Sequence, residues 1–197
     1  MDINNAYVRD AILYYTIQQY FNCNDKRTCQ FIAQLDHFNY RRGLLHNIPY
    51  LLFQLCISEK DFYNTYLRVK ESFKTLQADI VLVKKGDGIY SKLLAMIPTA
   101  PPYLFLKGNV HLLNEKSVSV VGSRNASMEA MEKTEKLVKA LVKRNIVVNA
   151  GLAKGIDTIT HKTALKNNGR TIAVIGTPIN QYYPKENKNL QLTIEKH

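Results

Sequence analysis

The sequence predicts an α/β protein in which a small all-helical N-terminal domain, residues 1–77, precedes a parallel sheet, residues 78–197. Two observations predict this class. Residues 1–75 carry apolar side chains at steps of three and four residues, which is the helical period, and show no strand alternation. From Val118 onward, short apolar runs alternate with segments of helical length. Strands that alternate with helices in this way form parallel sheets with right-handed crossovers.

The helical segment is expected to contain about four helices. Pro49 lies where a helix through Tyr50–Cys56 would begin, which suits its fixed φ and its missing N–H. The aromatic residues are expected to be core rather than a ligand platform, because helical spacing alone produces such a stripe. The apolar steps run through Val8, Ile12 and Tyr15, through Leu13, Ile17 and Tyr20, through Phe31, Leu35 and Phe38, and through Phe62, Tyr66, Val69 and Phe73.

The second segment is predicted to end in a βαβαβ unit. Its first helix is expected to begin after Ser127, a residue type that favours the N-cap. Its second helix is expected to start near Asp157 and to end at Asn167–Gly169, where Asn and Gly adopt the left-handed cap readily. The predicted strands are Ile80–Val83, a short strand within Ile97–Gly108, Val118–Val121, Ile146–Asn149 and Thr171–Ile175.

The charge of the chain is concentrated in the predicted sheet. The net charge is +11, of which residues 1–75 contribute +2 and residues 76–197 contribute +9. A surface of that sign favours polyanions such as nucleic acid, and the alternative is a lysine-rich surface that only keeps the protein in solution. Three cysteines without a C-x-x-C pair, no apolar run of about 20 residues and no signal-peptide pattern together predict a cytoplasmic protein without a membrane span.

Three loops are expected at the carboxyl edge of the sheet, where ligands bind in open parallel sheets. They begin at Gly122, Ala150 and Gly176, and each is followed by a helix or a turn. Their glycines let backbone N–H groups approach an anion, although Gly151 and Gly155 could equally serve to pack a helix against a strand. Arg124 can grip a phosphate with its planar fork, and Lys154 and Lys185 supply point charges.

The chemistry-bearing residues of this region favour binding over bond-breaking. G-x-G-x-x-G and G-x-x-x-x-G-K-[ST] are both absent, which excludes the usual dinucleotide fingerprint and the P-loop. Asp157 is predicted to be a helix N-cap rather than a general base, and His161 a structural histidine. Because no Ser-His-Asp set, metal-ligand spacing or carboxylate pair is visible in the sequence, we expect no enzyme activity, no metal and no cofactor.

Three motifs carry a resemblance to a known family. VSVVGSRNAS, AGLAKGIDTITH and TIAVIGTPINQYYPKEN, in this order and at these intervals, closely resemble the DprA/Smf family of DNA-processing proteins. The resemblance covers about residues 78–192 and includes the upstream PPYLFLKGNVHLLNEK. It implies a Rossmann-like domain that binds single-stranded DNA in natural transformation and loads a RecA-type recombinase. The helical N-terminal segment is compatible with the small helical domain that family members often carry.

The resemblance also implies the DNA-binding residues. Arg124 and Lys185 would contact phosphates in a basic pocket, and Lys154 falls at a variable position of the family's glycine loop. Tyr182 and Tyr183 are candidates for base stacking or, equally, for packing of the third loop. The complete implied set is Gly122, Ser123, Arg124, Gly151, Lys154, Gly155, Lys185 and Asn187.

The sequence departs from the family pattern in several places. Ala150 stands where serine is usual, Pro178 where glycine is usual, and Ser91 where proline is usual. Family members continue through more strands after the position of His197, so we expect this chain to be a fragment, a natural truncation or half of a split protein. An uncovered sheet edge would then favour homo-oligomers.

Two other functions stay open on the sequence alone. One is a nucleotide-binding Rossmann-like sensor or hydrolase of small nucleotides, against which the absence of a P-G-G-x-G-T loop argues. The other is an interaction module that serves only assembly.

Overall fold

The computed structural model describes residues 1–35 and 43–197. The chain divides into two compact units, of which the first comprises residues 1–85 and 97–104 and the second residues 86–96 and 105–197. The helical segment predicted for residues 1–77 lies in the first unit, and the βαβαβ segment lies in the second. The domain boundary after residue 77 stays a prediction.

The first unit contains the four predicted helices among its described residues. Asn5, Asn24 and Ser58 cap three of them, each accepting a backbone N–H of the first turn through its side-chain oxygen. Two short strands pair with each other, β1 (Val81–Lys84) in this unit and β2 (Tyr103–Leu106), of which only Tyr103 and Leu104 belong to it. The helices are α1 (Ala6–Gln19), α2 (Asp25–Ala33), α3 (Gly43–Leu55) and α4 (Glu59–Lys74).

The described aromatic residues of the predicted apolar pattern are buried in the core or pack against it, as predicted, whereas Phe53, outside that pattern, is exposed. Phe62 and Phe73 are buried, and the ring of Tyr14 lies 5.5 Å from that of Tyr103. Tyr14 also donates a 2.6 Å hydrogen bond to Asp25 Oδ1, which holds the start of α2 against α1. Burial, reinforced by this bond, raises the pKa of the Tyr14 phenol far above its usual range. Phe38, predicted for the same apolar pattern, lies outside the described residues.

The prediction that Pro49 begins a helix is wrong. The helix α3 starts six residues earlier, at Gly43, and Pro49 lies inside it. A proline within a helix removes one backbone hydrogen bond. The neighbours Ile48 and Leu51 are fully or almost fully buried in the helical core, and their burial offsets that loss. The apolar pattern therefore overrides the local preference of proline for a first turn.

The second unit is built around a three-stranded parallel sheet, as predicted. The strand order is β3–β4–β5, with Val118 opposite Val148 and Asn149 opposite Ile172. The strands end one or two residues earlier or later than the apolar runs suggested, which is the usual uncertainty of element ends. They are β3 (Ser117–Ser119), β4 (Val147–Ala150) and β5 (Thr171–Ala173).

Two crossover helices connect these strands. The helix α6 (Met128–Lys143) begins after Ser127, whose hydroxyl accepts the Ala130 N–H at 3.2 Å, so the predicted N-cap is confirmed. The helix α7 (Ile156–Lys166) ends at Asn167, where the cap was also predicted. Together the two helices and β4 enclose an apolar core, which consists of Val120, Val138, Val148, Ile156 and Ala164.

Two further α-helices of the described residues were not predicted. The four-residue α5 (Lys92–Ala95) starts at Ser91, whose hydroxyl accepts the Leu94 N–H at 3.3 Å. The helix α8 (Lys188–Ile194) ends next to Glu195, which pairs with Lys107 at 3.0 Å. Among residues 1–35 and 43–197, the structure contains no helix that is both long and apolar enough to cross a membrane.

Candidate functional site

The three predicted loops meet at the carboxyl edge of the parallel sheet. Because β3, β4 and β5 are parallel and adjacent, the segments that follow them leave the sheet on the same side. We call them the first loop (residues 120–127), the second loop (residues 151–155) and the third loop (residues 174–187).

The first two loops are locked together by glycine. Gly155 has a φ of +76°, and a Cβ at this position would lie 2.3 Å from the Ser123 carbonyl oxygen and 2.6 Å from that of Arg124. The next residue, Ile156, donates its N–H to the Ser123 carbonyl at 3.2 Å. Gly122 makes room for the same Ile156 side chain, which a Cβ there would meet at 2.6 Å. These glycines therefore set the separation of the two loops.

Asp157 organises the second loop from inside. Its Oδ2 accepts the N–H of Gly151 at 3.0 Å and that of Ala153 at 3.3 Å, and the residue is buried. The prediction that Asp157 is the N-cap is wrong, because Gly155 occupies the cap position and Asp157 is the second helical residue. Its carboxylate accepts two N–H groups of the second loop, which are therefore not available to bind an anion.

His161 has the structural role that was predicted. It is fully buried, and its Nδ1 lies 2.7 Å from Thr171 Oγ1. Since the Thr171 hydroxyl donates its one hydrogen to the Val148 carbonyl at 2.9 Å, Nδ1 carries the proton and donates to Thr171. Burial lowers the pKa of His161 to about 4, with the Asp157 carboxylate acting in the opposite direction. The neutral ring thus ties α7 to β4 and β5.

The third loop is joined to the second by Asn187 and Glu186. The Asn187 side chain is buried, and its Nδ2 donates to the Leu152 carbonyl at 2.9 Å and to Thr158 Oγ1 at 2.8 Å. Beside it, Glu186 Oε1 accepts from Lys154 Nζ at 2.7 Å. The amide of Asn187 is thus occupied within the protein, which gives this residue a supporting position in the site.

The exposed charged groups of the three loops are mostly cationic. Ser123, Arg124 and Lys185 lie at the surface. Among the described residues, neither Arg124 nor Lys185 has a carboxylate within 4.0 Å, whereas Lys154 is paired with Glu186. The hydrogen bond between the last two raises the pKa of Lys154 and lowers that of Glu186. Within the described residues the three loops thus offer two exposed cations without a carboxylate partner, at the edge of the sheet where α6 and α7 begin, and such an edge attracts phosphate.

Comparison with known proteins identifies the family. The sequence pattern of the family "DNA recombination-mediator protein A" matches residues 81–197, which is more than half of the chain. The chain belongs to this family. The resemblance drawn from the three motifs is thereby confirmed.

Relatives and solved structures of the same kind agree with this assignment. DNA processing protein DprA of Streptococcus pneumoniae is 49% identical over 105 residues, 53% of this chain and 37% of that protein. The X-ray structure of DprA from the same organism has a TM-score of 0.71 and 33% identity, covering 98% of this chain and 65% of that one. A DNA processing protein A structure from Helicobacter pylori, at 22% identity, covers 59% of this chain and 52% of that one, and shares the fold with a TM-score of 0.51.

These matches confirm the predicted α/β fold. They also show what share of each relative the chain covers. The sequence match covers 37% of the pneumococcal protein and 46% of the Bacillus subtilis DprA, to which the chain is 30% identical over 139 residues, so the chain spans only part of the length of these relatives. Within the described parts of the chain, no three His, Cys, Asp or Glu residues lie together so as to hold a metal ion.

Sequence reasoning missed the contribution of Glu186 to the site. A signal was available, because Glu186 is the only acidic residue between Asp157 and Glu195 in a strongly basic stretch.

The two tyrosines of the third loop differ in the structure. Tyr183 is 63% exposed, whereas the ring of Tyr182 lies under the ammonium group of Lys188 at 5.1 Å.

Proposed function

We propose that this chain is a non-enzymatic protein that binds the backbone of single-stranded DNA at the carboxyl edge of its parallel sheet. The observation that carries the proposal is a pair of exposed cations, Arg124 and Lys185, which have no carboxylate partner among the described residues and lie in loops that Gly155 and Asn187 hold together. A guanidinium forms bidentate bonds to phosphate, and an ammonium adds a point charge without sequence preference. The remaining members of the implied set, Gly122, Ser123, Gly151 and Lys154, belong to the same loops.

The relatives support nucleic acid as the ligand. The H. pylori structure is described as showing a single-stranded DNA binding mode of DNA processing protein A, and it shares this fold. The pneumococcal and B. subtilis relatives are named as DNA-processing proteins. We therefore propose a role in protecting single strands during natural transformation. We further propose, from family membership, that the bound strand is passed to a RecA-type recombinase and that the protein self-associates.

A salt titration tests the proposed binding. Fluorescence anisotropy would be measured with a labelled single-stranded oligonucleotide and with the matching duplex, at 50 and 200 mM salt. Two phosphate contacts predict a slope of about −1.4 in log affinity against log salt, or a loss of about sevenfold between these concentrations. We expect the single strand to bind more tightly than the duplex, because a duplex hides its bases and holds its phosphates at a fixed spacing.

Three other outcomes would contradict the proposal. A folded protein that does not bind the oligonucleotide at 50 mM salt has no working site. Binding that prefers the duplex would assign the charge to general attraction of polyanions. Displacement of the oligonucleotide by a free nucleoside triphosphate at equal phosphate concentration would favour a nucleotide-binding protein instead.

A further inference from the structure

One carboxylate lies inside the cationic site. Lys154 Nζ of the second loop and Glu186 Oε1 of the third loop are 2.7 Å apart, and their side chains are 57% and 65% exposed. The pair therefore joins two different loops at the surface, where a DNA phosphate would approach. Arg124 and Lys185, on the same edge, have no such partner among the described residues.

The backbone around this pair is held in place from both sides. Asn187, the residue after Glu186, donates its side-chain N–H to the carbonyls of Leu152 and Ala153 at 2.9 and 3.4 Å. Ala153 is the residue before Lys154. Because the neighbours of both charged residues are bonded to each other, the backbone of Lys154 is held close to that of Glu186.

A carboxylate oxygen and a phosphate oxygen make the same charge-assisted bond to an ammonium group. The site that attracts a phosphate to Lys154 is therefore already occupied by the protein's own anion. An exposed ion pair of this kind is weak, so a phosphate can displace it, but the displaced Glu186 then repels the phosphate from close range.

We propose that Glu186 is a built-in competitor of the DNA phosphate for Lys154, and that it sets the affinity of the site below what its three cations allow. This inference rests on the proposed function. In the wild-type protein the strand is gripped by Arg124 and Lys185, and Lys154 contributes only when Glu186 is removed or displaced.

The substitution Glu186→Gln tests this competition, because it keeps the shape of the side chain and removes its charge. Freeing one more cation for phosphate steepens the salt slope from about −1.4 to about −2.1. If the added contact vanishes near 1 M salt, single-stranded DNA binds about eightfold more tightly at 50 mM and about threefold more tightly at 200 mM. The readout is the same anisotropy titration at both salt concentrations.

The matched control is Glu135→Gln. Glu135 also pairs with a lysine, Lys139 at 3.6 Å, and is similarly exposed, but it lies in the middle of α6. Its removal changes the net charge by the same amount, so we expect less than a twofold change in affinity. Equal effects of Glu186→Gln and Glu135→Gln would overturn the proposal, because the gain would then come from net charge alone.

A double-substitution cycle supplies the second test. Lys154→Ala is expected to weaken binding far more in the Glu186→Gln background than in the wild-type background, and to return the salt slope of Glu186→Gln from about −2.1 to about −1.4. An equal loss in both backgrounds would mean that Lys154 binds phosphate regardless of Glu186, which also overturns the proposal. A folded wild-type protein without salt-sensitive binding would instead contradict the proposed function itself. Failure of the proposed function is therefore distinguishable from failure of the competition between Glu186 and phosphate.

Discussion

The two edges of the parallel sheet are held together differently. At the carboxyl edge, Gly155 and Asn187 join the three loops. At the amino edge, Arg170 joins the segments that lead into the strands. The Arg170 guanidinium donates to the Asn145 carbonyl at 3.0 Å and pairs with Glu115 at 3.2 Å. Around it lie four exposed cations, which are Lys116, Lys143, Arg144 and Lys166. Both edges are therefore basic.

The two edges differ in which ends of the helices α6 and α7 they carry. Lys143, Arg144 and Lys166 lie at the carboxyl ends of α6 and α7, where free carbonyls carry partial negative charge and attract cations. Those positions are explained by helix stability alone. At the opposite edge the same helices begin, and their N–H groups add positive potential to Arg124 and Lys185. We infer that charge by itself does not locate the phosphate site, and that backbone polarity does.

The largest expected effect comes from the glycine that joins the first two loops. Gly155→Ala places a Cβ 2.3 Å from the Ser123 carbonyl oxygen at a φ of +76°. Left-handed backbone costs about 1–2 kcal/mol, and overpacking about 1–3 kcal/mol more, so we expect the free energy of unfolding to fall by about 4 kcal/mol. Urea denaturation measures this loss.

Gly176→Ala is the matched control for that substitution. It lies in the third loop at the same edge, and a Cβ there would meet no atom within 4 Å. We expect its free energy of unfolding to stay within about 0.5 kcal/mol of the wild-type value. If both variants lose stability equally, the contact of Gly155 with the first loop does not hold the carboxyl edge together.

The next prediction concerns His161, which joins α7 to the sheet between the two edges. Burial lowers the pKa of His161 from its ordinary 6.5 to about 4, so the folded protein holds the ring neutral while the unfolded chain takes up a proton. The stabilisation by the neutral ring is complete above pH 6.5 and is lost as the pH falls towards 4. The shift corresponds to a loss of about 3 kcal/mol in the free energy of unfolding.

Denaturation at several pH values between 7 and 4 measures this dependence. His161→Gln is expected to lower the starting stability and to flatten the decline, because the titrating group is gone. His111→Gln, at an exposed position, is expected to keep the wild-type decline. A wild-type decline that survives in His161→Gln would assign the acid sensitivity to other groups.

The sequence predicted what short-range patterns determine. The helical period located α1 and α4, and Ser127 identified the start of α6. The mistakes concern residues whose role depends on distant partners. Asp157 was predicted to cap its own helix, but its carboxylate serves the N–H groups of Gly151 and Ala153.

The same limit explains Asn187 and Pro49. Asn187 lies in a loop motif typical of an exposed site, yet its amide bonds to a loop 34 or 35 residues earlier in the chain. Pro49 lies inside a helix despite its usual preference for the first turn, because Ile48 and Leu51, on either side of it, are buried in the core. A single sequence shows residue types and local periods, but it does not show which distant backbone groups need a partner.

The last prediction compares one arginine from each edge. Arg124→Ala is expected to weaken single-stranded DNA binding by about 1–3 kcal/mol, or about 5- to 150-fold, because a charge-assisted phosphate contact is lost beside the helix N-termini. Arg144→Ala removes the same side chain at the amino edge, where its Nη1 donates to the Ala140 carbonyl of its own helix at 3.3 Å, and should change the affinity by less than twofold. Anisotropy titration of both variants decides the matter, since equal losses would mean that the strand responds to total charge and that backbone polarity does not select the binding edge.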